Sequence, residues 1–178
     1  MRFVILQDHK ENRQKCTLTP LEGREDVRFV RLARPAKGKD PEPVQVEGGI
    51  LLRVSAPPLC FADRTLAAKV PVVLVDSTWA RVDRVLRRVQ LNDGCRFVYR
   101  SLPRDIVTAY PRVSKVHEDP REGLASVEAL YAASVILGQR RADLLAGYRW
   151  QHEFLQRNRL VFARFDGGVG PRGAAGAE

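Results

Sequence analysis

The sequence predicts an α/β protein organised around a buried strand, on three observations. Val70 to Val75 (VPVVLV) is an apolar run too short for an ordinary helix and rich in β-branched residues, as a strand covered on both faces is. It ends in Asp76-Ser77-Thr78, and from there Trp79, Val82, Val85, Leu86 and Val89 recur on one face of a helix whose other face carries Arg81, Arg84, Arg87 and Arg88. Strand-like and helix-like segments alternate on either side. An open α/β sheet presents its polar, ligand-binding groups where such a strand runs into a helix. The plainer alternative is that Asp76 or Ser77 only caps that helix.

Taken in order, Arg2 to Leu6 reads as a first strand, followed by a charged loop, Gln7 to Lys15. Val27 to Leu32 alternates as a second strand, and Arg34 to Glu47, rich in Pro, Gly and charge, reads as a loop. Gly49 to Val54 is a third strand, broken by Pro57 and Pro58, and Phe61 to Lys69 a short helix. After the basic helix, Asn92-Asp93-Gly94 is a turn signal and Arg96 to Arg100 a further strand. Pro103, Pro111 and Pro120 exclude a long regular element between Ser101 and Gly123. Leu124 to Gly138 reads as a helix with Val127, Leu130, Tyr131 and Val135 inward and Gly138 as its C-cap. A second long helix is expected from Arg141 to Phe165, with Trp150, His152 and Asn158 as packing and anchoring residues rather than ligands. The Gly- and Ala-rich end, 166–178, reads as a frayed tail.

The chain has 178 residues, 44% of them hydrophobic, which is enough for a real core and excludes global disorder. Its formal net charge of +9 is mostly arginine, whose guanidinium fork suits phosphate, so RNA is the expected partner; an acidic protein partner is the alternative. Cys16, Cys60 and Cys95 are odd in number and form no CxxC pair, which argues against a zinc ribbon or a disulfide framework and predicts no metal. That usage fits a reducing cytosol, and no run is long and apolar enough for a spanning helix or a signal peptide. A cytoplasmic protein off the membrane is therefore expected.

Five short motifs, in order, carry a resemblance. They are Lys15-Cys16-Thr17, Asp76-Ser77-Thr78-Trp79, Leu102-Pro103, the Leu124-x-Ser126-x-Glu128-Ala129 element, and Trp150-Gln151-His152-x-Phe154-Leu155-x-x-Asn158. Together they resemble the small-subunit ribosomal RNA aminocarboxypropyltransferases, ribosome-biogenesis proteins of eukaryotes and archaea, over roughly residues 1 to 165. The resemblance implies a SPOUT-like fold: a smaller mixed α/β N-terminal half (1–69), a knotted cofactor- and RNA-binding half (70–165) and a flexible tail (166–178). It implies S-adenosyl-L-methionine as cofactor, transfer of its 3-amino-3-carboxypropyl arm to N3 of a modified uridine, methylthioadenosine as by-product, and a monomer.

The same resemblance assigns residues. Thr17 and Ser126 match hydroxyl residues near the carboxylate of the transferred arm. Val75 stands where a backbone carbonyl holds the ribose, and Trp79 where a tryptophan lines the cofactor. Leu51, Leu102 and Leu124 match the apolar surround of the adenine, and Asp76 an acidic residue needed for activity. From position alone, Arg81, Arg84 and Arg88 form the candidate RNA track. Two departures stand out: Ala109 to Ser114 lacks the family's Asn-Pro loop with its Tyr-Gly pair, and Arg53 replaces a proline of the adenine wall.

The chemistry suits these residue types. An anion packed on the sulfonium would stabilise the reactant more than the transition state, so an apolar wall of Trp79 and Val82 is sensible there. Choosing the arm over the methyl is a matter of aim, which hydroxyls gripping the arm provide. An ordinary aspartate, with a reference pKa of about 3.9, is far too acidic to deprotonate an imide, so Asp76 is expected to orient rather than abstract unless burial raises its pKa. Three other activities stay open: a SPOUT-type RNA methyltransferase, a tRNA aminocarboxypropyltransferase of the DTW type, which shares the Asp-x-x-Trp element, and a non-catalytic RNA-binding assembly factor.

Overall fold

The protein's structure, a computed structural model, describes residues 1–38, 40–111 and 123–166. In chain order its strands are β1 (Phe3–Gln7), β2 (Val27–Arg31), β3 (Val44–Val46), β4 (Gly49–Leu52), β5 (Val72–Asp76), β6 (Val89–Leu91) and β7 (Phe97–Arg100). Five of them make one parallel sheet in the order β2-β1-β5-β4-β7, and β3 pairs with β6 in a small parallel ladder. The helices are α1 (Arg64–Ala67), α2 (Val82–Leu86), α3 (Ser126–Ile136), α4 (Gln151–Arg157) and α5 (Arg159–Ala163).

The period of two along each strand divides the core between the two faces of the sheet. Phe3, Ile5, Ile50, Val72 and Leu74 point into the larger cluster, with Leu130, Tyr131, Phe154 and Phe162 from the helices. Val4, Leu6, Leu51 and Val73 point the other way, onto Val46 and Val85. The central strands are therefore apolar on both sides, which is why β1 and β5 read as continuous runs. Gly49 lets β4 come in close: at its φ of +138° a Cβ would lie 2.3 Å from the Pro71 carbonyl oxygen.

The predicted strands and the helix at α3 are present, with three differences. The basic helix is short: Trp79–Arg81 is a 3-10 turn, α2 ends at Leu86, and Val89 instead opens β6, in register with Val44. The expected loop 34–47 thus contains β3. The long helix from Arg141 is broken into a 3-10 turn (Ala142–Leu145), α4 and α5. Gly147, at φ +78°, ends the first piece. At Asn158 the backbone leaves helical geometry while its side chain bonds a neighbouring segment. The helix α3 is buried all round from Val127 to Ile136 rather than along one face, being enclosed by the sheet and the C-terminal helices.

Strands from either side of residue 69 interleave in the five-stranded sheet, so the expected division there falls inside one layer. The expected irregular segment 101–123 is described up to residue 111 and again from 123. The divergent positions 112–114, Pro120 and the expected tail beyond residue 166 lie outside the described residues.

Candidate functional site

A cavity of about 640 Å³ opens at the carboxyl ends of β4, β5 and β7. One wall is apolar: Leu52 and Val54 follow β4, Leu74 and Val75 end β5, and Trp79 and Val82 come from the segment after it. Leu102, Pro103 and Leu124 face them, and Ser77, Ser101 and Ser126 put hydroxyls at the edge. Trp79 is 36% exposed, a large apolar surface with room for a ligand to cover it. At the mouth Arg53 meets Asp83 at 2.8 Å, which ties the end of β4 across the cavity to α2.

Below the cavity Asp76, 5% exposed, joins three segments. Its Oδ1 accepts from Ser126 Oγ at 2.7 Å, and its Oδ2 accepts from Gln7 Nε2 at 3.0 Å and Cys16 Sγ at 3.2 Å. Burial, and then the neighbouring Asp76 carboxylate, push the Cys16 thiol up to about 12, so it stays a protonated donor. Thr17, next in the chain, accepts from the Val127 N–H at 3.3 Å and so sits against the first turn of α3.

A second buried carboxylate fixes the facing wall. Glu128, fully buried, accepts from Ala109 N and Tyr148 Oη at 2.9 Å each through Oε1, and from Ala125 N and Thr108 Oγ1 through Oε2. Burial, and then Glu128, hold the Tyr148 phenol well above its ordinary range. Asn158 clamps the same segment by exchanging two hydrogen bonds of 2.7 Å with the Val107 backbone. Tyr110 packs edge-on against Trp150 at 5.1 Å between ring centres and donates to the Lys15 carbonyl at 3.3 Å. Trp150 and Asn158 are thus packing and anchoring residues, as expected, whereas His152 is exposed.

The structure brings Val75, Trp79, Leu102, Leu124 and Ser126 onto one cavity, with Asp76 and Thr17 just behind it. Two expectations need correcting. The Leu51 side chain is fully buried in the smaller core cluster, and its neighbour Leu52 lines the cavity, because successive strand residues face opposite sides. Arg88 is no part of an RNA track: it is 8% exposed, and its guanidinium donates to the carbonyls of Ala33 and Glu42, tying down the loop before β3. Arg81 is also drawn inward, 2.7 Å from the buried Asp8, which leaves Arg84 as the exposed member of the stripe.

Neither Asp76 nor Ser77 caps a helix; Ser77 Oγ donates to Asp8 Oδ2 at 3.0 Å. Sequence reasoning missed Asp8, which lies in a charged loop with no motif around it. Only the parallel register of Gln7 with Asp76 brings it beside Ser77.

No curated protein matches the chain in sequence. A solved structure of the SAM-dependent rRNA:acp-transferase Tsr3 from Vulcanisaeta distributa is similar at TM-score 0.66 and 25% identity, the match covering 92% of this chain and 82% of that one. Residues 50–169 match the family model described as "Ribosome biogenesis protein, C-terminal". That span is more than half of the chain and contains nearly all of the cavity wall, and the chain belongs to this family of ribosome biogenesis proteins.

Proposed function

We propose that the protein transfers the 3-amino-3-carboxypropyl group of S-adenosyl-L-methionine to N3 of a modified uridine in small-subunit ribosomal RNA, releasing methylthioadenosine. One observation carries this reading: Trp79, Ser126 and the aliphatic ends of β4 and β5 share a single cavity, and Thr17 bonds the residue that follows Ser126. The cavity fits the cofactor. About 640 Å³ is in the range of small-molecule sites, and its apolar wall and hydroxyl edge match an adenosyl group that carries an amino-acid tail.

Leu52, Leu102 and Leu124 would surround the adenine, the Val75 carbonyl would hold the ribose, and Trp79 with Val82 would cover the sulfur without placing an anion on it. When bound, the cofactor would supply an electrophilic Cγ: N3 would attack it as the Cγ–S bond breaks, with the pair kept on sulfur and the N3 proton passing to solvent. The chain's own part is aim. Ser126 and Thr17 hold the tail at its far end and so turn Cγ rather than the methyl toward the base. Asp76, already accepting three hydrogen bonds, serves as a positioning residue for Ser126 and the Cys16-Thr17 turn rather than as a proton acceptor.

RNA is the macromolecular substrate in this reading. Exposed Arg84 and Arg87 beside the cavity would meet its backbone. The reading extends to a SPOUT-like fold with a trefoil knot in the C-terminal half; the parallel sheet with α3 packed on β5 supports the α/β part of it. It also extends to a monomer, and to a reducing cytoplasm, the latter supported by three free cysteines. Among the described residues no helix is long and apolar enough to cross a membrane.

The test is incubation with carboxyl-labelled S-adenosylmethionine and total RNA, with mass spectrometry of the nucleoside by-product. Label retained in small-subunit rRNA with methylthioadenosine released is the expected result. S-adenosylhomocysteine as by-product would make the protein a methyltransferase. Label in tRNA would move the substrate, and absence of cofactor binding would leave an assembly factor.

A further inference from the structure

The hydroxyl protons at the edge of the cavity have fixed directions. Arg31 Nε donates to Gln7 Oε1 at 3.1 Å, which turns the other end of that amide, Nε2, toward Asp76 Oδ2. Cys16 Sγ accepts from Leu18 N at 3.4 Å, so its own proton goes to the same Oδ2. Among the described residues, the other two side chains on the Asp76 carboxyl are thereby donors, and both of them use Oδ2. Ser126 Oγ, 2.7 Å from Oδ1, gives its single proton to Asp76. What Ser126 offers the cavity it lines is lone pairs, with the Asp76 carboxyl directly behind them.

Thr17 is poised the other way. Its Oγ1 accepts from the Val127 N–H, so its proton is the one left to give. The amino terminus of α3 does not reverse this polarity at Ser126, since two N–H groups there are already taken, Val127's by Thr17 and Ala125's by Glu128.

We propose that Ser126 is a specificity-determining acceptor for the α-ammonium group of the ligand's amino-acid tail, which leaves the tail's carboxylate to Thr17, the hydroxyl to which the resemblance already assigns it. The two hydroxyls, both expected from the sequence to hold the carboxylate, thus divide the tail between them by hydrogen-bond polarity. The ammonium lies over the Asp76–Ser126 pair, where a carboxylate would be repelled. The carboxylate turns to Thr17 and the remaining N–H groups of the α3 turn. This inference rests on reading the cavity as an S-adenosylmethionine site.

Calorimetry on the full chain tests it with three probes: S-adenosylhomocysteine, its deaminated analogue and its decarboxylated analogue. The wild type should lose about tenfold in affinity on deamination, the scale of a hydrogen bond to a charged group. Ser126→Ala should bind the deaminated and parent ligands within about twofold of each other, with the decarboxylation penalty unchanged. Ser126→Thr, which keeps the hydroxyl, should keep the amino preference, and Thr17→Val should erase only the carboxyl penalty. Ser126→Ala with the amino penalty intact and the carboxyl penalty gone would overturn the assignment, as would a wild type indifferent to deamination. A wild type that binds none of the three would bring down the cofactor reading itself.

Discussion

Two buried carboxylates flank the start of α3 and do opposite work. Glu128 takes four donors, two of them backbone N–H groups, and these fix the segment 108–110 and the helix start against Tyr148. Asp76 takes three, all from side chains, and one of these, Ser126, also faces the cavity. Backbone donors cannot turn away, so Glu128 sets the shape of the wall. Side-chain donors have a direction that their partner selects, so Asp76 sets the polarity of the ligand-facing hydroxyl. Burial alone does not distinguish the two, at 0% and 5% exposure; the identity of the donors does.

The contrast is broken most directly at Glu128. Glu128→Ala leaves four donors without a partner in a fully buried place and should cost about 3–5 kcal/mol, measured by denaturant unfolding. Glu128→Gln should recover only part of this, because both oxygens accept and an amide NH₂ must then face two donors. A loss under about 1 kcal/mol for the alanine variant would mean that the wall does not depend on this carboxylate.

Asp76→Asn should cost less stability, about 1–2 kcal/mol, and more function. Gln7 and Cys16 keep the amide oxygen as acceptor, so the NH₂ group turns to Ser126 and donates to it. The hydroxyl proton is then free to point into the cavity, and Ser126 changes from acceptor to donor. At saturating cofactor, transfer should fall at least tenfold while the Asn variant loses its preference for an amino-bearing ligand. Near-full transfer would remove Asp76 from the mechanism even as a positioning residue.

Much of this was legible in the sequence, and the exceptions share a cause. The runs at β1 and β5 announce themselves because both faces of a central parallel strand are buried. The site elements Asp76, Trp79 and Ser126 stand at the ends of such predictable segments. What stayed hidden depends on pairing between distant residues. Val44-Gln45-Val46 and Val89-Gln90-Leu91 are strands only because they meet each other. Leu51 and Leu52 differ by one residue of register, which decides core or cavity. Arg88 reads as one more surface arginine until the Ala33 and Glu42 carbonyls are placed under it. Asn158 looks like a mid-helix residue until the Val107 backbone is brought to its side chain.

Cys16 offers a gentler probe of the Asp76 cluster. Burial raises its thiol pKa to about 12 from an ordinary value near 9. A raised folded-state pKa contributes stability below the unfolded value and loses it as pH climbs toward the folded value. Between about pH 9 and pH 12 the unfolded chain releases this proton and the folded chain keeps it, so stability should decline by up to roughly 1.4 kcal/mol per pH unit. Cys16→Ser should flatten that decline. In the native protein at pH 8, Cys60 and Cys95, both exposed, should alkylate well before Cys16.

The smallest effect on the fold and the most selective effect on substrate belong to Arg84. It is exposed on α2, the helix that follows Trp79. Arg88 is spent on two carbonyls and Arg81 on Asp8, so of the three arginines in the sequence stripe Arg84 alone faces outward, with exposed Arg87 beside it. Arg84→Ala should leave unfolding within about 0.5 kcal/mol of wild type. It should also weaken RNA binding for all sequences and lower the salt-dependence slope of log affinity by about 1, as the loss of one phosphate contact does. An unchanged slope would place the RNA on another face and leave the cofactor cavity without its expected approach. Cofactor affinity should not move in either case, because Arg84 does not line the cavity and takes no part in the Asp76–Ser126 pair.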